Sequence, residues 1–363
     1  MGSMWGKYIT ISVFGESHGP AIGVVIDGLP SGVTIDMDEV DVEMKRRAPG
    51  NGQAGSTPRK ESDEPMILSG LLNNVTEGTP LAVMIPNDNT KSKDYEALSA
   101  TPRPGHADLS GLMRYCGCHD MRGSGHFSGR LTAPIVFAGA IAKQILATKG
   151  VVIRGHVLRI GDISDTPWDG MSVPEKKFNN PDVFPVDDVE QGEKMQALIT
   201  AAREDGDSVG GVIQVLAGGM PAGVGNPIFE NIESIISSIM FAIPAVKGVS
   251  FGDGFDVASH KGSENNDSPC IVGKSLRMKT NHAGGIDGGI STGMPIVVNV
   301  AMKPTPSIAK EQETVTLETM KNTTIKVLGR HDACIVVRAL PVVEAALAIA
   351  LLDIVLQAEE KHK

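Results

Sequence analysis

Several short stretches of this chain carry residue types suited to proton transfer and anion binding, and nearly all lie beside glycine or proline. Gly15-Glu16-Ser17-His18-Gly19 sets a hydroxyl next to an imidazole. It matches G-x-S-x-G, the nucleophile elbow of α/β-hydrolases, which requires a strand before it, a helix after it and several earlier strands. Only 14 residues precede it, and an apolar run, Ile22 to Ile26, follows. That leaves a glycine-rich hairpin tip, either plain or presenting Ser17 and His18 as part of a site. Arginines recur in the same kind of setting: Arg46, Arg47 and Arg59 around one loop, Arg103 in Pro102-Arg103-Pro104-Gly105-His106, Arg122 and Arg130 around another, and Arg330 before His331-Asp332. Arginine grips phosphate and carboxylate through two parallel hydrogen bonds. Several converging arginines suit a small, multiply anionic ligand. His18, His106, His126, His282 and His331 all lie in loops, and an imidazole titrating near neutrality can protonate a leaving group.

Cofactor motifs narrow the field. Arg122-Gly-Ser-Gly-His-Phe-Ser-Gly129 misses G-x-G-x-x-G by one residue and follows no apolar strand, which disfavours a Rossmann dinucleotide site; no G-x-x-x-x-G-K-[ST] occurs. Cys116-x-Cys118-His119 lacks the spacing and the distant partner pair of a zinc site, so no metal is expected. Gly284 to Gly293, followed by a strand and then Lys303-Pro304-Thr305-Pro306-Ser307, differs from these. Glycines let backbone approach a ligand closely, and the Lys, Thr and Ser side chains can hold a phosphate. Composition and spacing alone reach an enzyme acting on an anionic small molecule, with a phosphorylated cofactor.

The whole chain sets limits on that reading. It has 363 residues, 33 Lys+Arg against 43 Asp+Glu and a net charge of −10, with only 14 aromatic residues. An acidic, aromatic-poor chain is a poor nucleic-acid binder. Nine acidic and two basic residues between Gly161 and Glu193 account for −7 of that charge, so the acidity belongs to one surface excursion. Four cysteines make no disulfide framework. The most apolar stretch, Val342 to Leu356, is broken by Glu344 and Asp353, so no membrane span is expected, and the N-terminus has no leader pattern. Met1 to Ser3 read as a cloning remnant before Met4. A cytoplasmic location is expected.

The elements that must position these residues can be read from periodicity. Strands are expected at Ile9–Phe14, Ile22–Ile26, Met66–Leu72, Leu81–Ile85, Val151–Ile160, Val209–Leu216, Gly248–Phe251 and Ile296–Met302. Helices are expected from Asp36 to Arg47, then at Leu131–Thr148, Asp188–Arg203, Ile228–Phe241 and Val342–Glu360. No strict βαβ rhythm appears, which favours α+β over a doubly wound parallel sheet. One internal echo stands out: Gly23-Val-Val-Ile-Asp-Gly-Leu-Pro-Ser-Gly-Val33 against Val212-Ile-Gln-Val-Leu-Ala-Gly-Gly-Met-Pro-Ala-Gly-Val224. It hints at a duplicated strand–helix unit.

Taken together these motifs resemble the chorismate synthase family. The stretches GESHG into VVIDGLPSG, KRRAPG, RPGHADL, SGRLTA into AGAIAK, GDSVGG, AVKGVSFGDGFD, NHAGGIDGGISTG with MKPTPS, and GRHDAC into EAALAI occur in that family's order from Trp5 to Leu356. The resemblance implies one domain over 4–363 with a β-α-β sandwich fold, assembled as a homotetramer. It implies loss of phosphate and a C6 proton from 5-enolpyruvylshikimate 3-phosphate, giving chorismate, with reduced FMN required although the reaction is redox-neutral. By motif, His106 looks like the acid for the departing phosphate, His18 like the proton donor on the flavin N1 side, and Asp332 like the carboxylate that takes up the C6 proton by way of flavin N5. Ser17, Arg47, Arg59, Arg103, Ser128, Arg130 and Arg330 would form the substrate pocket. His126, Phe127, Ser128, Pro244, Ala245, Gly288, Lys303, Pro304, Thr305, Pro306, Ser307 and Arg330 would hold the flavin. NADP is associated with the family as an electron source, yet no nicotinamide site is recognisable here, so self-reduction and supply by a separate flavin reductase both stay open. The chain departs from the family pattern at Ala48 and Gln53, where relatives carry arginine, at His126 to Leu131, at Pro244 and at Ala333.

Overall fold

The computed structural model describes residues 2–50, 63–87, 100–176, 178–327, 329 and 331–361. Strands β1 (Met4–Trp5), β2 (Thr10–Gly15), β3 (Ala21–Asp27), β4 (Met66–Ser69) and β5 (Leu81–Pro86) form one sheet in the order β1-β2-β3-β5-β4. A second sheet holds β6 (Val152–Ile160), β7 (Ile163–Ser164), β8 (Gly211–Gly218), β9 (Val246–Phe251) and β10 (Ile296–Met302) in the order β9-β10-β8-β6-β7. Valine and isoleucine dominate the central strands, where branched side chains pack well on a pleated surface. Every pairing in both sheets is antiparallel, so the chain is α+β as the sequence suggests.

The two sheets share a register. Ile22 opposes Ile85 and Ile26 opposes Leu81 in the first sheet; Ile213 opposes Val300 and Ala217 opposes Ile296 in the second. The step from β3 to β8 is 191 residues at both positions, Ile22 to Ile213 and Ile26 to Ala217. The partners repeat as well, Phe14 facing Gly23 and His156 facing Gln214. Both strands sit in the middle of their sheet and leave it through left-handed glycines, Gly28 and Gly32 in one case, Gly219 and Gly223 in the other.

Helices α1 (Met37–Arg47), α2 (Asp108–Arg114), α3 (Thr132–Thr148), α4 (Val189–Glu204), α5 (Ile232–Met240) and α6 (Val336–Lys361) complete the core. Asp36 caps α1 by accepting from the Asp38 and Glu39 amides at 2.9 and 3.3 Å, and its last turn carries Lys45, Arg46 and Arg47, which suit the negative end of the helix dipole. Residues 131–142 at the start of α3 are all buried, as a helix that is apolar on every side must be. It packs on strands of both sheets and on α6, which lies against β6 and β8. The two helices cross so closely that a Cβ on Gly139 would fall 2.2 Å from that of Ala345. One apolar core runs from Ile9 to Val355.

Two helices begin away from their expected ends. Asn231 interrupts the stretch read as Ile228–Phe241, accepting from the Ser234 amide at 2.7 Å, so α5 starts at Ile232 behind a 3₁₀ turn. Helix α6 starts six residues before Val342 and contains Pro341, whose missing amide makes it read as a start although only one carbonyl loses its partner. At that length α6 is apolar enough to cross a membrane, but 94% of its most apolar window is buried inside the molecule, marking a core helix. Two of its charges, the buried Glu344 and Asp353, are used internally. Asp353 accepts from the Lys7, Tyr8 and Ile9 amides, and Glu344 pairs with Arg46 and Lys143.

Candidate active site

The residues singled out by type and spacing converge on a cavity of about 670 Å³. Its walls are the tip after β2, the segments flanking α2 and α3, the entry to β9, the exit of β10 and the first turns of α6. The tip is a hairpin turn between antiparallel strands, so the strand–turn–helix geometry of a hydrolase elbow is absent and the serine hydrolase reading fails. Instead the tip docks on residues 123–125. The Ser17 amide donates to the Gly125 carbonyl at 3.2 Å, and the Asn87 side-chain amide donates to the carbonyls of Glu16 and Gly19 at 2.9 Å each. Gly123, Ser124 and Gly125 are all left-handed, and a Cβ on Gly123 would fall 2.5 Å from His18 Nε2 and 2.9 Å from Ser17 Oγ. Glycine there is a requirement of close packing.

The arginines are held by two buried acids that sequence reasoning missed. Asp63 sits between Arg47 and Arg130 and pairs with both. Burial alone would raise its carboxyl pKa, but the two guanidinium groups hold it below the usual range. Arg130 also donates to Asn87 Oδ1 at 3.0 Å and to the Pro86 carbonyl at 3.1 Å. Arg103 grips Asp108 from Nε and Nη2, both at 2.7 Å, and also donates to Ser307 and Ser124 at 3.1 and 3.0 Å. Burial pushes the Asp108 carboxyl up, and bonds from Arg103 and His106 more than reverse it, leaving it well below the carboxylate range. Neither acid stood out in the sequence, since a single Asp, in a loop at Asp63 and at the start of a short helix at Asp108, has no periodicity to mark it.

His106 Nδ1 lies 2.6 Å from Asp108 Oδ1. Arg103 Nη2 is 3.1 Å from the same nitrogen, but a guanidinium can only donate. The contact therefore reflects one carboxylate oxygen shared by two donors. This fixes Nδ1 as the donor to Asp108 and leaves Nε2 for a ligand. Asp332 is held by Arg338, which also donates to the Arg47 carbonyl at 3.1 Å. His331 lies alongside, its pKa lowered by burial and by the nearby Arg103. Arg338 and His331 both line the cavity, and the sequence reading gave neither a role of its own.

Of the expected site residues, Ser17, Arg47, Arg103, His106, Ser128, Arg130 and Asp332 line this cavity. So do His126, Phe127, Pro244, Ala245, Lys303, Thr305, Pro306 and Ser307. His18 is buried directly behind Gly123. Pro304 and Gly288 do not line it; Gly288 is exposed between the short strands Ile286–Asp287 and Ile290–Ser291. Arg59 and Arg330 lie outside the described residues. Cys116 and Cys118 are exposed, and His282 is drawn to a surface group with Asp253 and His260 instead. Among the described residues six cations, Arg47, Arg103, Arg130, Lys247, Lys303 and Arg338, line the cavity, and its four arginines pair with three acids, Asp63, Asp108 and Asp332. The surplus favours a polyanionic occupant. Thr305 Oγ1 is buried there with no partner, and burial with the charge of Lys247 lowers the Lys303 pKa, so both groups gain from an oxyanion ligand.

The family model for chorismate synthase matches residues 9–356. A chorismate synthase of Dehalococcoides mccartyi is 45% identical over 362 residues, covering 99% of this chain and 98% of its own. That of Pyrococcus abyssi is 47% identical over 351 residues, covering 96% of each. A chorismate synthase crystal structure superposes with a TM-score of 0.73 at 30% identity, over 97% of this chain and 93% of that one.

Proposed function

The chain belongs to the chorismate synthase family and is an enzyme of that family, and from that premise we propose that it converts 5-enolpyruvylshikimate 3-phosphate to chorismate and phosphate by 1,4-anti-elimination, with reduced FMN required. The observation that carries the reading is His106, fixed by Asp108 beside Arg103, in a cavity whose charged groups are mostly cationic. Expelling phosphate needs cations and a proton donor where negative charge develops. His106 supplies the proton through Nε2, while Arg47, Arg103 and Arg130 bind the phosphate and carboxylates. Ser17 and Ser128 add hydroxyl contacts, with Arg59 and Arg330 joining them by motif. Asp332, oriented by Arg338, takes up the C6 proton.

The flavin wall consists of His126, Phe127, Ser128, Pro244, Ala245 and residues Lys303 to Ser307, with His18 as the proton holder behind Gly123. The unpartnered Thr305 hydroxyl and the partly desolvated Lys303 amine fit a phosphate-bearing ring system on that side. When bound, reduced flavin supplies the transient electron that weakens the carbon–oxygen bond to phosphate. The motif also assigns Gly288 to the flavin site, although it does not line this cavity.

The same reading places residues 4–363 in one β-α-β sandwich domain built by duplication, supported by the repeated register of β3 with β5 and of β8 with β10. A homotetramer accounts for large exposed apolar side chains such as Phe229, Phe255, Ile271 and Leu276. The reading further takes the electrons from a separate flavin reductase and gives the enzyme a cytoplasmic location, as the family resemblance implies. Anaerobic incubation with the substrate and FMN, with and without reduction, tests the proposal. Phosphate release confined to the reduced sample is expected; release indifferent to flavin reduction overturns it.

A further inference from the structure

A second cavity, of about 430 Å³, opens between α1, α3 and β6. Its charged groups divide into two sets. Arg46 and Lys143 are neutralised by Glu43 and Glu344, which accept from both at 2.6 to 3.0 Å. Arg154 and Glu39 form no ion pair among the described residues, although Glu344 and Glu43 act on Arg154 through space more strongly than Glu39 does. Among the described residues, half-buried Arg154 makes one hydrogen bond, from Nη1 to the Ile153 carbonyl at 2.7 Å, and its fully covered Nε has no partner. Glu39, exposed at the rim, has no side-chain partner among the described residues and lies near enough to act on Arg154 through space. Val42, Ala140 and the buried ring of Phe178 supply an apolar wall.

A covered guanidinium N–H without an acceptor, as at Arg154 Nε, costs stability unless a ligand completes it. A cavity of this volume suits a small organic molecule. We propose that this cavity is a binding site for a zwitterionic α-amino acid with an apolar side chain, its carboxylate on Arg154, its ammonium on Glu39 and its side chain against Phe178 and Val42. The site is independent of the elimination chemistry, because none of these residues lines the catalytic cavity.

The test is calorimetric titration of the full chain with L-phenylalanine and L-leucine, alongside 3-phenylpropionate and phenethylamine, which each lack one of the two charges. Saturable binding of at least one amino acid is expected, with both analogues weaker by tenfold or more. Arg154→Met should weaken amino-acid binding at least tenfold while raising or preserving the melting temperature of the unliganded protein, since it removes a covered N–H that has no acceptor. Glu39→Gln, on an exposed rim, should weaken the amino acid and leave 3-phenylpropionate unchanged. No saturable binding of either amino acid, binding unaltered by Arg154→Met, or 3-phenylpropionate binding as tightly as L-phenylalanine would each overturn the proposal. Turnover of the unliganded variants should match the parent.

Discussion

The two sheets repeat one register but close the matching strand pair in opposite ways. In the first, β2 and β3 are joined by the short tip Glu16–Pro20, which delivers Ser17 to the cavity and sets His18 behind Gly123. In the second, β6 and β8 are separated by residues 161–210, an acidic excursion that carries β7 and α4 and lines no part of the catalytic cavity. The difference extends to single positions. Where the first sheet sets the Phe14 ring over Gly23, the second sets His156 opposite Gln214. His156 is fully buried, 2.9 Å from Asp165 and 3.1 Å from Gln214, and stacked on Trp168 at 4.1 Å. Asp165 in turn accepts from the Asp187 and Asp188 amides, so this cluster pins the excursion to its sheet. The strands set positions, and the connections decide which end does chemistry.

Three variants would break or sharpen that contrast. The largest loss belongs to the first region. Asp63→Asn keeps a residue that tolerates the left-handed backbone at this position (φ 49) but strips Arg47 and Arg130 of their shared counter-charge. We expect destabilisation of about 3–5 kcal/mol in urea unfolding, as for a buried ion pair broken on one side. A change below about 1 kcal/mol would mean that the bridge does not hold the site together. Next comes His156→Leu in the second region, which removes the ring hydrogen-bonded between Asp165 and Gln214 and should cost about 1–3 kcal/mol. Its kcat should stay within about twofold of the parent, and a fall of a hundredfold with folding intact would erase the division of labour between the two ends.

The smallest effect is a pH dependence. His331 has a folded pKa below its ordinary 6.5, so folding favours the neutral ring. Its contribution is complete above pH 6.5 and is lost as the pH falls from there toward the lower folded value. His331→Gln should flatten the stability profile in that acidic window by about 1 kcal/mol or less, and an unchanged profile would assign the slope to other groups.

Much of this was legible in the sequence, for identifiable reasons. The hairpin tip announced itself by glycine on both sides of an apolar alternation, and α1 by Asp36 before it and three cations at its end. The cavity residues were found because motifs place them next to Gly and Pro. What stayed hidden depends on contacts between distant segments. Asp63 and Asp108 matter only because folding buries arginines against them, and Arg338 reaches Asp332 only because α6 begins at Val336 instead of after Pro341. The hairpin Gln312–Thr316 with Lys321–Ile325 was missed since its threonines and charges give no apolar face.

The central claim is that the first region's cavity expels phosphate with His106 as the acid. It is tested most directly by single-turnover phosphate release from 5-enolpyruvylshikimate 3-phosphate, with reduced FMN and saturating enzyme, for the parent and His106→Ala. The account predicts a rate lowered by about 10²–10⁴-fold with substrate affinity little changed. An unaltered release rate, with substrate bound, would contradict it.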